Sequence, residues 1–284
     1  MGQRTSIEWT EVTWNPTTGC TKVSEGCDNC YADVLSRRLL TGFYRGRLPV
    51  VNTPANRADP FALRIWPERL AQPARWKGNR LVFVNSMSDL FHCDIPPEFL
   101  REVFKVMLDV GRHTYQVLTK RPSRAARFVR QNRDLFGDQG LPSHIWIGTS
   151  TENQKTDYRI RHLQAVPAAV RFLSCEPLIG PLSLCKVLRS GGIHWVIVGG
   201  ESGAGHRPMD GRWVQDLRDE CVAAEVPFFF KQWGGRTPKA GGRTLEGGEW
   251  NQMPVGAGNG ALGLDELSDQ QFDEAQPPVV GSTV

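Results

Sequence analysis

Short apolar runs alternate with helix-like patterns along the chain from about residue 81 onward. Six runs have the length and composition of buried β-strands, and amphipathic or turn-rich segments separate them. Their starts lie about 24 to 34 residues apart, so each run fits one strand-plus-helix unit. The six runs are residues 81–86, 115–120, 144–150, 170–177, 194–203 and 228–233.

Strands that are apolar on both faces and separated by helices predict a parallel sheet covered by helices. An N-terminal unit, IEWTEVTWN followed by CYADVLSRRLL, brings the strand count to about seven. No glycine-rich G-x-G-x-x-G turn follows the first strand, so a dinucleotide-binding fold is not indicated. We predict an α/β fold, a complete or partial parallel (βα) TIM-type barrel of about six to seven strands with an N-terminal cysteine loop.

Two segments depart from this pattern. Residues 41–79 contain several prolines and polar turns, which indicates an insertion after the first helix that packs on the barrel or covers its mouth. Residues 1–235 are therefore expected to form the barrel domain and residues 236–284 a C-terminal extension. The last ~20 residues have few apolar positions and are expected to be disordered.

The composition is that of an ordinary globular protein. The 284 residues carry a formal net charge of +4, and the basic residues are dispersed, which is compatible with a polyanionic partner without indicating one. MGQRTSIEWT lacks a signal-peptide core, and no stretch approaches the ~18 apolar residues of a membrane span. We therefore expect a cytoplasmic protein with no membrane partner. Its seven cysteines should be thiols or metal ligands.

Polar side chains follow the predicted strands, at the end of a barrel where sites form. At residues 149–153 helix capping, worth about 1 kcal/mol per cap, is an equal alternative. Glu176 and Glu201 favour a site, because a carboxylate at the end of an apolar strand is costly unless it is paired. Lys120 and Lys231 are candidates for holding an anionic group or for pairing with one of these acids. The candidate ligand-binding residues are Ser86, Ser88, Asp89, Lys120, Thr149, Ser150, Glu152, Glu176 and Glu201.

The stretch CTKVSEGCDNCYA, residues 20 to 32, contains three cysteines with the spacing C-x6-C-x2-C. A structural zinc takes four ligands, and the remaining candidates for a fourth are the distant His92 and Cys93. A 4Fe–4S cluster takes one ligand per iron, so three cysteines leave one iron open to a substrate or cosubstrate. Both the zinc and the iron–sulfur interpretation stay open on spacing alone.

A three-cysteine loop after the first strand of a parallel barrel resembles the radical S-adenosylmethionine (SAM) enzymes. In that family the open iron binds the amino and carboxylate groups of SAM, and electron transfer cleaves SAM to a 5′-deoxyadenosyl radical. The commonest family spacing is C-x3-C-x2-C with an aromatic residue before the last cysteine. This chain has a longer first gap, and its aromatic residue, Tyr31, follows the last cysteine.

Motifs from residue 6 to about 235 resemble a narrower group, the phage-associated three-cysteine protein family of the gp thirty-seven/gp sixty-eight type, which is radical-SAM-like. The motifs are SIEWTEVTWNPTTGCTKVSEGCDNCYA, FVNSMSDLFH, QVLTKRP, GTSTENQ, SCEPLIGP, GGESG and FFFKQWGG. This resemblance implies the fold and the cluster without naming a substrate.

The resemblance implies that Cys20, Cys27 and Cys30 hold a 4Fe–4S cluster, with SAM as the second cofactor and a flavodoxin- or ferredoxin-like electron donor as partner. The other candidates are assigned to SAM by strand order. They are Ser86, Ser88 and Asp89 at its amino group, Thr149, Ser150 and Glu152 at the ribose, Lys120 at the carboxylate, and Glu176 or Glu201 as further contacts.

A non-catalytic nucleic-acid-binding protein is the competing hypothesis, with zinc or an iron–sulfur cluster serving only to fold the loop. Aromatic and basic residues near the cysteines, such as Phe43 and Arg47, would then stack on and neutralise a nucleic acid. A buried aromatic core explains most of these aromatics, and strand-end acids would repel phosphate, which favours the enzyme. A nucleic acid is also a candidate substrate, and the sequence indicates no oligomeric state.

If the three clustered cysteines bind one iron–sulfur cluster, replacing any of them by alanine should strongly lower the iron bound per chain, because each supplies a thiolate to the same cluster. Alanine at each of the isolated cysteines should leave bound iron unchanged. Iron and acid-labile sulfide analysis after anaerobic reconstitution measures this. An isolated cysteine as necessary as the three would replace the open-iron model by a closed four-ligand site. The isolated cysteines are Cys93, Cys175, Cys185 and Cys221.

Overall fold

One curled sheet organises residues 3–254, the part of the chain that this computed structural model describes. Eight strands form it. In chain order the strands are β1 (Gln3–Arg4), β2 (Val12–Trp14), β3 (Thr17–Thr18), β4 (Arg64–Ile65), β5 (Leu81–Val84), β6 (Thr114–Thr119), β7 (Ile145–Ser150), β8 (Arg171–Cys175), β9 (Trp195–Gly199), β10 (Phe228–Gln232), β11 (Thr244–Leu245) and β12 (Gly248–Glu249).

The sheet is a partial barrel. Its strands lie side by side in the order β1-β2-β5-β6-β7-β8-β9-β10. The seven strands after β1 in this order are parallel to one another, and β1 pairs antiparallel with β2. The prediction of a partial parallel TIM-type barrel with about seven strands is therefore confirmed. Because the strands are parallel, all seven carboxyl ends lie on the same side of the fold.

Helices follow the parallel strands and cover the outer face of the sheet. Buried residues spaced by four on one of them, Phe99, Val103 and Met107, face this outer core, as amphipathic spacing predicts. No helix within residues 3–254 combines the length and apolar composition that a membrane crossing needs. The helices are α1 (Tyr31–Arg38), α2 (Thr41–Arg45), α3 (Pro54–Ala58), α4 (Pro97–Asp109), α5 (Pro122–Gln131), α6 (Arg133–Phe136), α7 (Tyr158–Gln164), α8 (Cys185–Arg189) and α9 (Gly211–Ala223).

A second apolar cluster fills the concave face of the sheet near the amino ends of the strands. Trp195 of β9 lies 5.7 Å from the ring of Phe172 and 6.0 Å from that of Trp146. Trp9 closes the cluster from the segment before β2 and lies 4.6 Å from Phe83. These buried aromatic side chains leave the carboxyl side of the strands as the place for a polar site.

The insertion at residues 41–79 joins the barrel beside the cysteine loop. β4 lies within it and pairs antiparallel with β3, which ends two residues before Cys20. Arg64 of β4 is fully buried and donates to main-chain carbonyl oxygens, including those of Arg47 at 2.9 Å and Ala62 at 2.6 Å. The insertion is therefore part of the wall that supports the loop.

The segment after residue 235 continues along the barrel. β11 and β12 form a hairpin, and the chain then pairs with β10, since Phe230 N–H donates to Trp250 O at 2.9 Å. The Trp195 indole N–H donates to Gln252 O at 2.8 Å. The disordered end expected from the sequence lies outside the described residues.

Gly148 of β7 tests the tight packing of the concave face. A Cβ at this position would lie 2.4 Å from the ring of Phe172, which is completely buried. Gly148→Ala should therefore lower the free energy of unfolding by about 1–3 kcal/mol. Gly42→Ala, in the open space around α2, should be neutral or slightly stabilising. Chemical denaturation of both variants is the measurement, and equal stabilities would contradict this packing.

Candidate functional site

The three clustered cysteines lie within residues 19–30, which cross the carboxyl side of the sheet. We call these residues the cysteine segment. Gly19 opens the segment with φ of 84°, and a Cβ there would lie 2.3 Å from Ala62 O, so only glycine fits. Cys20 follows directly. Cys27 ends a short 3-10 turn, and Cys30 immediately precedes α1. The thiols are thus held by a turn, a helix start and the insertion.

The distances between the three clustered sulfurs bear on the choice between a zinc ion and an iron–sulfur cluster. In residues 3–254, the one set of three His, Cys, Asp or Glu ligand atoms within 4.8 Å of one another is His92, Cys93 and Asp94. The clustered cysteine sulfurs are therefore not at the spacing of about 4 Å that tetrahedral ligands of one zinc ion have. A cluster that binds each thiolate through a different iron spreads its ligands more widely. The wider spacing is compatible with a ligand set of that kind.

His92 and Cys93, the distant fourth-ligand candidates of the zinc interpretation, form a group with Asp94 rather than with the three cysteines. His92 Nδ1 accepts a hydrogen bond from the Asp94 N–H at 3.2 Å, and His92 Nε2 lies 2.8 Å from Thr21 Oγ1. Both ring nitrogens therefore already have partners. Cys93 is exposed, unlike the buried Cys175 and Cys221 of the outer core.

The three thiols share one electrostatic environment but differ in acidity. Burial raises the pKa of Cys20 to about 11 and also raises the pKa of Cys30, and a negative charge on Cys27 adds to both. Burial acts in the same direction on Cys27. There the charge of Lys120 and hydrogen bonds from the preceding residues outweigh burial and lower the pKa. Cys27 is therefore the thiol that ionises most readily.

Asp89 holds the first part of the cysteine segment through Arg121. This carboxylate is buried and accepts from Arg121 Nη1 at 2.8 Å and from Thr119 Oγ1 at 2.7 Å. The same guanidinium lies 3.6 Å from Cys20 Sγ and donates to Thr21 O at 3.1 Å. Arg121 thus links the carboxylate to the first cysteine.

Glu152 holds the middle of the segment and is completely buried. Arg159 Nη1 donates to its two oxygens at 3.1 and 3.0 Å, and Lys120 Nζ lies 2.5 Å from Oε1. From the cysteine segment, Ser24 Oγ donates to Oε1 at 2.9 Å. A Cβ on Gly26 would lie 2.4 Å from Glu152 Cγ, so the loop rests directly on this carboxylate.

Glu201 holds the last part of the segment. Its Oε1 accepts from Arg207 Nη2 at 2.5 Å, and its Oε2 accepts from Asn29 Nδ2 at 2.8 Å. Arg207 Nη2 also donates to Glu25 O at 2.9 Å. Burial acts to raise the pKa of Glu201, but the hydrogen bonds from Arg207 and Asn29 lower it, so this group is an anion at neutral pH.

Most of the other predicted polar residues also bond within the protein. Ser150 is the exception. It lies four residues after the buried Trp146 in β7, so both side chains point to the concave face of the sheet. The bonded hydroxyls are those of Ser86 with the Asn15 side chain at 3.0 Å, Ser88 with Thr17 Oγ1 at 2.6 Å, and Thr149 with Thr119 O at 2.7 Å.

Glu176 and Lys231 form a different kind of pair, inside the mouth of the barrel. Lys231 Nζ lies 3.0 Å from Glu176 Oε1, and Ser174 Oγ donates to Glu176 Oε2 at 3.2 Å. Both side chains are partly accessible, at 20% and 15%. Glu176 directly follows β8 and lies four residues after Phe172, a member of the concave cluster, so an extended chain points both side chains to the same face. The pair therefore faces the interior of the barrel and keeps polar valences for a ligand.

Sequence reasoning missed the arginines that neutralise the buried acids. Arg159 lies seven residues after Glu152 and Arg207 six residues after Glu201, each in the segment that follows the strand. Arg121 adjoins Lys120. An arginine at a similar distance after each of two strand-end glutamates is the signal that was present in the sequence.

The comparisons with known proteins establish the family. The model for the family described as "Protein of unknown function (DUF5131)" matches residues 4–254, so the chain belongs to this family. No curated protein sequence matches the chain.

Two solved structures of spore photoproduct lyase are similar to the fold. One is a cysteine-to-serine mutant, with 11% identity, a TM-score of 0.46, and coverage of 77% of this chain and 64% of that chain. The other, complexed with dinucleoside spore photoproduct, has 9% identity, a TM-score of 0.45, and coverage of 78% and 63%. The chain thus spans slightly less than two thirds of the length of these enzymes, and we draw no function from resemblances of this extent.

Glu201→Gln tests whether the buried acids hold the cysteine segment. An amide at this position cannot accept all four donated hydrogen bonds, and losing charged bonds costs about 1.5–3 kcal/mol. Amide exchange of residues 20–30 should therefore be roughly 10–100-fold faster, and the free energy of global unfolding should fall by no more than the same amount. Glu249→Gln, on the exposed β12, is the matched control. Unchanged exchange in the Glu201 variant would show that the segment holds its place without this pair.

Proposed function

We propose that this chain is an iron–sulfur enzyme of the radical SAM type. Cys20, Cys27 and Cys30 would hold a 4Fe–4S cluster, and SAM would bind its fourth iron. One observation carries the proposal. Three thiols, whose sulfurs do not all lie within 4.8 Å of one another, are held over the carboxyl end of a partial parallel barrel by three buried acids.

The surroundings of the thiols suit a cluster with three thiolates. Arg121 Nη1 lies 3.6 Å from Cys20 Sγ, and the charge of Lys120 acts on Cys27. Positive charge next to the thiolates offsets the negative charge that they bring to the cluster. With SAM bound, such a cluster would supply a 5′-deoxyadenosyl radical.

The chain's own residues would bind and orient the ligand. Lys120, the residue that the sequence assigned to the SAM carboxylate, pairs with Glu152. Lys231 offers an ammonium to a carboxylate in its place, and Glu176 accepts from an amino group, so this pair complements a zwitterion such as the methionyl part of SAM. The aromatic cluster of the concave face closes the interior below this pair. Asp89, Glu152 and Glu201 would support the cysteine segment, and their direct contact with SAM remains a prediction.

The proposal predicts a cluster whose spectrum responds to SAM. Anaerobically reconstituted protein, reduced with dithionite, should show the EPR signal of a reduced cluster that changes on addition of SAM, and 5′-deoxyadenosine should form. Assays with and without DNA or RNA test whether a nucleic acid is the substrate. Stoichiometric zinc without iron, or an EPR spectrum that does not change when SAM is added, would reject the proposed radical SAM function.

Lys231→Met tests the ligand role of the interior pair. Removing one charged hydrogen bond of about 1.5–3 kcal/mol should weaken SAM binding roughly 10–100-fold, while the cluster absorbance stays unchanged because no cluster ligand is altered. Lys186→Met, on α8, is the control. Wild-type SAM affinity in the Lys231 variant would remove this residue from the site.

A further inference from the structure

Exposed apolar side chains of the described structure concentrate next to the cysteine segment. Ten large apolar side chains are exposed in residues 3–254, and eight of them lie between residues 23 and 51. Leu39 is 73% exposed and Leu48 66%, and a group of exposed apolar side chains, unlike a single one, marks an interaction surface. We call the face formed by α1, α2 and the segment before α3 the α1–α2 surface. Its exposed apolar residues are Val34, Leu35, Leu39, Phe43, Leu48 and Val51.

The charge of this surface is basic and comes from arginine alone. Residues 31–57 contain five arginines, one aspartate, and no lysine or glutamate. Two of the arginines pair with carboxylates. Among the described residues, Arg38, Arg45 and Arg57 have no carboxylate within ion-pair distance. Protein-binding surfaces are enriched in aromatic residues and arginine and depleted in lysine and glutamate, which is the composition found here.

Stacked aromatic and guanidinium groups pack part of this surface onto the insertion. The ring of Phe43 stacks on Trp66 at 5.1 Å with an interplanar angle of 1°, and Trp66 is buried beneath it. The guanidinium groups of Arg47 and Arg69 lie 4.5 and 4.1 Å from the Trp66 ring. A preorganised surface loses less conformational entropy on binding, so its apolar area contributes more to affinity.

The core beneath this surface also contacts the cysteines. Tyr44, Trp66 and Met87 belong to a small apolar cluster, and Cys20 and Cys30 pack against that cluster. One layer of packed side chains therefore separates the α1–α2 surface from two of the three thiols. The Glu176–Lys231 pair instead faces the interior of the barrel, so a partner on this surface would leave that pair accessible.

We infer that the α1–α2 surface binds an acidic electron-carrier protein, from which one electron passes to the oxidised cluster. The inference rests on the proposed function, since the cluster is the acceptor. The carrier loses one electron, the cluster gains it, and no atom is transferred. A protein fits better than a nucleic acid, because exposed Leu39, Leu48 and Val34 offer aliphatic area, whereas bases stack on aromatic rings.

A direct binding measurement tests the surface without relying on catalysis. Oxidised flavodoxin, an acidic protein carrying a flavin, is titrated into the full-length chain at low and moderate salt. We expect binding that weakens with salt and that is at least tenfold weaker in Arg38→Glu/Arg45→Glu and in Leu39→Ser. Arg161→Glu, an exposed charge reversal on α7, should bind as the wild type does. Circular dichroism confirms that each variant is folded.

Reduction of the cluster separates the two proposals. In Arg38→Glu/Arg45→Glu, reduction by dithionite should equal that of the wild type, whereas reduction by flavodoxin should fall at least tenfold. A wild-type protein with no cluster signal would reject the proposed function, and the titration would still decide whether the surface binds the acidic protein.

Three results would overturn the inference. The first is binding of flavodoxin that is unaffected by the α1–α2 variants. The second is tighter binding of single-stranded DNA or RNA that the same variants abolish. The third concerns residues 255–284, which contain five acidic and no basic residues. If replacing those acids by their amides is required for flavodoxin to bind, the occupant of the surface is the chain's own acidic segment.

Discussion

Three pairs of a buried carboxylate and an arginine hold the cysteine segment over the sheet, and the candidate site depends on them. Burying a carboxylate costs several kcal/mol unless it is paired and hydrogen-bonded. At Glu152 the charges of Lys120 and Arg159 outweigh burial and keep the pKa below its usual value. From the cysteine segment, Ser24 donates a hydrogen bond to Glu152 and Asn29 donates one to Glu201, in place of water. The loop and the ion pairs therefore stabilise each other.

The parallel sheet explains why these pairs come together. Asp89, Glu152 and Glu201 are far apart in the chain, but each follows the carboxyl end of a strand in one curled sheet. The concave side of the sheet is apolar near the amino ends of the strands and polar near their carboxyl ends. Aromatic side chains fill the end near Trp195, and the Glu176–Lys231 pair faces the other end. A ligand can thus enter from the side that the cysteines cross.

The cysteine segment consequently has two faces with different chemistry. Toward the barrel it meets two ion pairs, Lys120 with Glu152 and Arg121 with Asp89. Away from the barrel it packs on the apolar cluster beneath α1 and α2. This division would let a small ligand and a protein partner approach the same cysteines from different directions.

The sequence by itself determined the strands, their parallel arrangement and the three cysteines, because hydrophobic periodicity and residue spacing are local properties. It also indicated that strand-end acids such as Glu201 need partners. The tertiary structure decided which partners they have. Arg159 and Arg207 look like ordinary solvated arginines in the sequence, and only packing shows one completely enclosed and the other clamped on Glu201. The spacing of the three cysteine sulfurs likewise depends on loop geometry that no sequence interval specifies.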